Sequence, residues 1–209
     1  MYIPKNLAME LEQSIALIKQ YGFAVITSSD LQASHLPLII ERLDPATNDS
    51  THQQTAEYVL YGHMAKANPH WKAMQSQSVL VVFSAPHGYI SPTWYDSFPA
   101  VPTWNYAVVH VNGTFELTED AVTLDKLNQT ISKYEPSILK DGGFIPAEYR
   151  DKLSKAIVGF KISITSIAGK SKLGQHRSEL DQAGVLAGLA KSGNLESQLL
   201  YQYTKKILS

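Results

Sequence analysis

Three stretches of the sequence combine aromatic rings with short polar side chains, glycine and proline. They are GHMAKANPHW at residues 62–71, PHGYISPTWY at 86–95 and VPTWNY at 101–106. Residues 62–110 hold all three tryptophans and four histidines, but only one carboxylate, Asp96. Glycine lets the backbone approach a ligand closely, and fixed polar groups can then be held against it. The pattern favours a flat, electron-rich or anionic ligand, with aromatic packing in a small core as the alternative.

Metal binding and hydrolysis have weaker support from the same residues. His63, His70, His87 and His110 lack the paired spacing of a zinc protease, and no cysteine or nearby glutamate completes a site, so we assign no metal. The segment also lacks a G-x-S-x-G motif and a second acid. Ser91 and His87 alone therefore do not indicate a hydrolase, and we assign no catalytic residue. His87 and His110 are expected either to be bonded within a sheet or to donate to a ligand.

The last 49 residues are locally basic, with seven basic and three acidic side chains. Lys170 and Lys172 follow a predicted strand, and Arg177 precedes a predicted helix. Backbone N–H groups and cations in such an arrangement can bind a phosphate. A solvated basic loop is an equal alternative. The bias is too mild to indicate strong DNA binding by the chain itself.

Composition excludes several classes of protein. The chain has 209 residues with 18 basic and 19 acidic side chains, no cysteine and a hydrophobic fraction of 44%. Balanced charge argues against a highly basic nucleic-acid binder and against intrinsic disorder. The lack of cysteine excludes disulfides, thiolate metal ligands and a thiol nucleophile. With no linker, no signal-peptide pattern and no membrane-spanning apolar run, we expect one cytoplasmic domain over residues 1–209.

The elements that position these residues follow from periodicity and turn signals. Helices are predicted at residues 7–21 with Asn6 as N-cap, at 121–134, after Pro146, at 178–191 and at 194–208. Strands are predicted at residues 23–27, 36–42, 57–61, 79–84 and 158–165, with a polar loop at 44–54. Residues 104–117 are predicted to form a hairpin that turns at Asn112-Gly113. Together they predict an α+β fold, an antiparallel sheet or barrel with the C-terminal helices packed on it.

Several motifs together resemble the PaiB family of FMN-binding transcriptional regulators. The motifs are MYIP, HLPL, GHMAKANPHW, PHGYISPTWY, VPTWNYAVVHVNG and KLGQHRSELDQAGVLAGL, and they extend over nearly the whole chain. The resemblance implies an antiparallel split β-barrel of the flavin-binding type and a homodimer with FMN at the subunit interface. It also implies negative regulation of sporulation and degradative-enzyme genes. The chain departs from the family's late motif at Gly174, His176 and Gln182.

The resemblance also implies roles for individual residues. Lys66, with His63 and Asn68, is expected at the FMN phosphate or ribityl chain, where charge-assisted hydrogen bonds are strong. An aromatic side chain is expected to cover the isoalloxazine, polar groups to bond its edge, and an arginine to reach across from the partner subunit. The full set of expected cofactor-binding residues is His35, Pro37, His63, Ala65, Lys66, Asn68, Tyr89, Ser91, Trp94, Tyr95, Trp104, Asn105 and Arg177.

Three functions fit the sequence. The first is an FMN-binding negative regulator of transcription, with DNA as a weakly supported partner. The second is a small FMN-dependent oxidoreductase that uses NAD(P)H or a similar reductant, in which the cofactor supplies the chemistry. The third is a structural or protein-binding domain whose aromatic residues only fill its core. The lack of cysteine leaves any electron transfer to a bound cofactor.

Overall fold

A computed structural model describes residues 1–43, 57–140 and 145–208. The strands are β1 Phe23–Thr27, β2 Ala33–Pro37, β3 Ile39–Arg42, β4 Tyr58–Ala65, β5 Ser78–Ser84, β6 Gly88–Ile90, β7 Thr103–Leu117 and β8 Ile157–Lys172. The helices are α1 Leu11–Gln20, α2 His70–Met74, α3 Asp120–Tyr134, α4 Ser137–Lys140, α5 Ala147–Ser154, α6 Glu179–Lys191 and α7 Leu195–Leu208. The predicted loop at residues 44–54 lies outside the described residues.

The strands follow the order β2-β1-β5-β7-β8-β4-β3, and β6 pairs with β7. The pairs β1–β2, β1–β5, β3–β4, β4–β8 and β6–β7 are antiparallel. Over the described residues this path ends at β2 and β3, and the sheet does not close. The predicted α+β class with an antiparallel sheet is confirmed.

The chain forms two compact units that interleave in sequence. Unit 1 comprises Met1–Leu17, Ser84–Val109 and Ala168–Ser209, and unit 2 comprises Ile18–Phe83 and His110–Ile167. The long strands β7 and β8 contribute residues to both. In unit 2 the core includes Ile26, Val81, Phe115 and Phe160, and the last two rings stack with centroids 4.6 Å apart. In unit 1 it includes Leu189 of α6 and Leu200 of α7.

The predicted hairpin at Asn112-Gly113 is wrong, because both residues lie inside the continuous strand β7. A Cβ on Gly113 would lie 2.5 Å from the carbonyl oxygen of Ser163 and 2.6 Å from a methyl group of Ile162. The glycine therefore permits close approach of β7 to β8 and does not make a turn. Asn112 donates to the Ser166 hydroxyl at 3.0 Å, so its side chain also joins the two strands.

The first helix begins later than predicted. Residues Lys5–Leu7 form a short 3-10 turn, and α1 starts at Leu11. Between them, Ala8 forms a β-bridge with Lys170, and the Met9 N–H donates to the Gly169 carbonyl at 3.0 Å. This pairing with the end of β8 keeps the backbone before α1 extended, so Asn6 cannot serve as the N-cap.

The remaining predicted helices are confirmed to within a residue or two. Pro146 precedes α5, and the Ser178 hydroxyl caps α6 by accepting the Asp181 N–H at 3.1 Å. Strand β8 runs seven residues beyond its predicted end and includes Lys170 and Lys172. These lysines therefore lie in a strand and not in a phosphate-binding loop. Within the described part of the chain, no helix is both long and apolar enough to cross a membrane.

Candidate functional site

The thirteen expected cofactor-binding residues divide between the two units. Unit 2 holds six of them, on β2, on β4 and in the loop after β4, namely His35, Pro37, His63, Ala65, Lys66 and Asn68. Unit 1 holds the other seven, on β6, on β7 and near α6, namely Tyr89, Ser91, Trp94, Tyr95, Trp104, Asn105 and Arg177.

Strand β7 separates the unit 1 residues onto two faces. Successive side chains of a strand point to opposite sides, and Trp104 is 48% exposed whereas Asn105 is 2% exposed. In the β6–β7 pair, Tyr89 lies opposite Trp104, and Gly88 lies opposite Asn105. Tyr89, also 48% exposed, therefore shares the open face with Trp104.

An open groove of about 440 Å³ lies beside Trp104 on this face. Its lining residues are Ser84, Ala85, His87, Trp104, Tyr106, Ala107 and Val108. The Trp104 indole N–H donates to His87 Nδ1 at 3.4 Å, and the two rings lie 5.8 Å apart. The volume falls within the range of small-molecule pockets. We call the side chains of Tyr89, Trp104, Tyr106 and His87 the aromatic face.

Lys170 of β8 borders the aromatic face, whereas Lys172 of the same strand bonds the backbone of β7 and the side chain of Thr103. Lys172 donates to the Thr103 hydroxyl at 2.5 Å and to the Trp104 carbonyl at 3.0 Å. The Lys170 ammonium lies 5.5 Å from the Tyr106 ring centroid. Cations beside exposed aromatic rings suit a ligand that is both planar and anionic. The sequence contained a signal for this face, because residues 104 and 106, like residues 170 and 172, have the spacing of neighbours on one face of a strand. The signal was not recognised because the sequence predicted a hairpin over residues 104–117 and a loop at 170–172.

The opposite face of β7 forms a small polar pocket. It is lined by Tyr95, Asn105, Leu173, Gly174, Arg177, Asp181, Gln182, Val185, Thr204 and Leu208. Its free space of about 10 Å³ holds roughly one water molecule. Asn105 Nδ2 and Thr204 Oγ1 are buried there without a hydrogen-bond partner among the described residues. The Arg177 guanidinium lies over the Tyr95 ring at 4.6 Å.

Asp181 borders this pocket with its charge already compensated. Its Oδ1 accepts the Ser97 N–H at 2.8 Å. This hydrogen bond is the main cause that holds the pKa of Asp181 below its ordinary value, and the positive charge of Arg177 adds to it. The carboxylate therefore stays ionised at neutral pH and offsets the charge of Arg177.

Trp94 and Ser91 are engaged within unit 1. A Cβ on Gly188 would lie 2.3 Å from Trp94 Cδ2, so the indole packs directly on α6. The Ser91 hydroxyl accepts the Thr93 N–H at 3.2 Å and caps the short 3-10 turn Pro92–Trp94. Trp94 and Ser91 thus have structural roles that the sequence did not indicate.

In unit 2, the turn after β4 presents Lys66. The Asn68 N–H donates to the Ala65 carbonyl at 2.9 Å, and the Lys66 N–H donates to the Ala156 carbonyl at 2.8 Å. The Trp71 indole donates to the Lys66 carbonyl at 3.1 Å, which further fixes the backbone. The Lys66 side chain is exposed and makes no ion pair with the described residues. A fixed backbone with a free ammonium suits an anionic group.

The other expected residues of unit 2 differ in how deeply they are buried. His63 is half-buried on β4, and burial lowers its pKa, so its ring is neutral at pH 7. His35 is exposed on β2, with its ring centroid 6.2 Å from that of Phe23. Pro37 pairs with Phe23 in the β1–β2 ladder and is half-buried.

His70, which the sequence did not include among the expected cofactor-binding residues, is buried and hydrogen-bonded at both ring nitrogens in unit 2. Its ring is 3% exposed, and its two nitrogens each lie 2.8 Å from a serine hydroxyl, Nε2 from Ser28 and Nδ1 from Ser34. Asn68 reaches the same Ser34 oxygen at 3.4 Å. Ser28 directly follows β1 and Ser34 lies on β2, both far from His70 in the sequence, so no local spacing could have shown this cluster.

Comparison with known proteins gives a consistent result. Residues 1–166 match the family described as "Putative FMN-binding domain". Protease synthase and sporulation protein PAI 2 of Bacillus subtilis is 32% identical over 203 residues, covering 93% of this chain and 91% of that protein. The flavocytochrome Anf3 of Azotobacter vinelandii has a TM-score of 0.59 at 18% identity, covering 87% of this chain and 78% of that one. An FAD and heme binding protein of Mycobacterium smegmatis has a TM-score of 0.54 at 15% identity, covering 78% and 71%.

Proposed function

This chain belongs to the PaiB family of FMN-binding proteins, and we propose that it binds FMN as a homodimer and acts as a flavin-dependent negative regulator of transcription. FMN is the cofactor that the resemblance predicted and that the matched family is described as binding. The regulatory role is supported by the 32% identity to PAI 2, whose name connects that protein with protease synthesis and sporulation.

The observation that carries FMN binding is the exposed pair Tyr89 and Trp104 beside the 440 Å³ groove. Large aromatic side chains in a soluble protein are usually covered, and a flat ring system is their natural partner. Lys170, whose ammonium lies 5.5 Å from the Tyr106 ring centroid, adds a positive charge beside the groove. Both halves of FMN, the planar isoalloxazine and the anionic phosphate, thus find matching chemistry in this chain.

We place the isoalloxazine on the aromatic face of unit 1 and, as a separate proposal for unit 2, assign Lys66 to an anionic group such as a phosphate. The ammonium of Lys172 is already bonded to Thr103 and to the Trp104 carbonyl, which makes Lys172 a support for β7. Lys66 has an exposed side chain without an ion pair among the described residues and is the better phosphate ligand. Bound FMN supplies hydride and one-electron transfer, while these side chains bind and orient it.

A second copy of this chain is the partner that we propose for the aromatic face. Phe98 and Val101, in the segment before β7, are 95% and 68% exposed. Like Tyr89 and Trp104, they are large apolar side chains of unit 1 that the described residues leave uncovered. A homodimer that buries them would also exclude water from the flavin.

An FMN-dependent oxidoreductase is the second candidate function. The observation that favours it is the open form of the groove beside Trp104, which leaves access for a second planar molecule such as a nicotinamide. Direct DNA binding has less support, because two lysines of the basic C-terminal segment, Lys170 and Lys172, are engaged within unit 1. We therefore expect any DNA association to be weak without another protein.

Flavin analysis of the purified protein tests the proposal. We expect a yellow protein with a flavin absorption spectrum, and mass spectrometry of the released ligand should identify FMN. A colourless protein that takes up no added FMN would contradict it. DNA binding, measured over a range of salt concentrations, tests the regulatory role, because contacts with DNA phosphates weaken steeply as salt rises. Assays of NADH and NADPH oxidation test the alternative, an FMN-dependent oxidoreductase.

A further inference from the structure

A chain of hydrogen-bonded side chains runs from the β1–β2 turn to the loop after β4 within unit 2. Asp30 bonds to Ser28, whose oxygen lies 2.8 Å from His70 Nε2. On the other side of the ring, Nδ1 lies 2.8 Å from Ser34 Oγ, which Asn68 Nδ2 approaches to 3.4 Å. We call these five side chains the His70 chain. A buried imidazole bonded at both nitrogens has a fixed position and orientation.

The carboxylate of Asp30 determines the direction of the first hydrogen bonds. The pKa of Asp30 is held below its ordinary value, first by the Ser28 hydroxyl and then by the Gln32 N–H. An ionised carboxylate only accepts, so Ser28 must point its single hydroxyl hydrogen at Asp30. The Ser28 oxygen can then only accept from the ring. His70 therefore carries a hydrogen on Nε2.

The state of His70 determines the remaining directions. Burial lowers the pKa of His70 by more than the nearby charge of Asp30 raises it, so the ring is neutral at pH 7. A neutral ring with its hydrogen on Nε2 has an acceptor at Nδ1. Ser34 consequently donates to Nδ1 and keeps its lone pairs for Asn68.

The result is a single orientation of the Asn68 amide. Its Oδ1 accepts the backbone N–H of His70 at 3.1 Å, and its Nδ2 donates toward Ser34. If the amide were reversed, Oδ1 would face the Ser34 hydroxyl, whose hydrogen is already donated to His70. Nδ2 would then face the backbone N–H of His70, which is also a donor. One hydrogen of Nδ2 has no acceptor among the described residues and is available to a ligand.

We propose that His70, as the neutral Nε2–H tautomer, is a positioning residue for FMN: through Ser34 it orients Asn68 to donate to an oxygen of the phosphate or ribityl chain. The inference rests on the proposed function, because Asn68 contacts FMN only in that proposal. In this proposal His70, which is 3% exposed, acts through Ser34 and Asn68 and does not itself touch FMN.

Two amide replacements of His70 separate positioning from simple structural support. The side-chain amide of asparagine falls near the position of Nδ1, and that of glutamine near Nε2. His70→Asn can still accept from Ser34, whereas His70→Gln can still donate to Ser28 but leaves Ser34 without its acceptor. We expect the Kd for FMN to rise less than about threefold in His70→Asn and roughly tenfold in His70→Gln, the order expected for one hydrogen bond. Ser34→Ala should resemble His70→Gln.

The controls keep the outcomes distinct. His176→Gln replaces an exposed histidine and should leave the Kd unchanged. Thermal unfolding of each FMN-free variant shows whether the Kd simply follows stability, and ¹⁵N NMR of the FMN-free protein identifies the tautomer. Equal losses in the two His70 variants, or an Nδ1–H tautomer, would overturn the inference. Failure of the unaltered protein to bind FMN would instead contradict the proposed function. The NMR measurement would still test the direction of the hydrogen bonds in the His70 chain.

Discussion

Trp104 and Asn105 are consecutive residues of β7 that lie on its opposite faces, the indole 48% exposed and the amide 2% exposed. The alternation of a strand makes this relationship unavoidable. A flat ligand on the aromatic face can contact Trp104 but not Asn105 of the same protomer. Asn105 instead lines the small polar pocket together with Arg177 and Tyr95. The side chains of the motif VPTWNY therefore lie in two different environments.

Replacing Trp104 tests the aromatic face directly. We expect Trp104→Ala to weaken FMN binding by about 1 to 3 kcal/mol, the usual contribution of one stacked aromatic side chain to a bound base. Fluorescence titration with FMN measures this, because flavin emission changes on binding. Tyr149→Ala removes an aromatic side chain of similar exposure from α5 and should have no effect. If the Trp104 variant and the unaltered protein bound FMN with equal affinity, the isoalloxazine would not bind to this face.

Lys66 should contribute through its charge. We expect Lys66→Ala to weaken FMN binding by about 1.5 to 3 kcal/mol, the range for a hydrogen bond to a charged group, and Lys66→Arg to retain most of the affinity. Lys72→Ala, six residues further along, is the matched control, since Lys72 already lies 5.4 Å from the Trp71 ring centroid. Riboflavin lacks the phosphate and should bind both alanine variants alike. A riboflavin affinity reduced as much as that for FMN would assign Lys66 another role.

His70 should make stability depend on pH in a defined direction. Burial lowers its pKa in the folded protein, so near and below the ordinary value of about 6.5 the unfolded chain binds more protons than the native state. Stability should therefore fall as pH drops below about 6.5. His63 and His110 add to the same trend, because burial lowers their pKa values as well. Urea unfolding of the FMN-free protein from pH 5 to 8 should show a shallower slope in His70→Gln, whereas identical slopes would exclude a contribution from His70.

The sequence predicted what periodicity and local motifs can reveal. Strand β1, helix α3 and both C-terminal helices were confirmed, because each has a clear apolar repeat and local end signals. It failed at Asn112-Gly113, where the pattern of a hairpin turn belongs to a strand that needs close contact with β8. The sequence could not predict the His70 chain for a different reason. Its members are up to 42 residues apart, and only the pairing of β1 with β2 and the turn after β4 bring them together.

Gly113 provides a test of the β7–β8 contact itself. In Gly113→Ala the new methyl group would lie 2.5 Å from the backbone oxygen of Ser163, which cannot move without disturbing the sheet. We expect a loss of about 1 to 3 kcal/mol in the free energy of unfolding, the usual cost of overpacking a core. Gly193→Ala is the control, because no atom lies within 4 Å of the position of its Cβ. Urea unfolding measures both, and equal stability of the two variants would be inconsistent with a continuous β7 packed against β8 at Gly113.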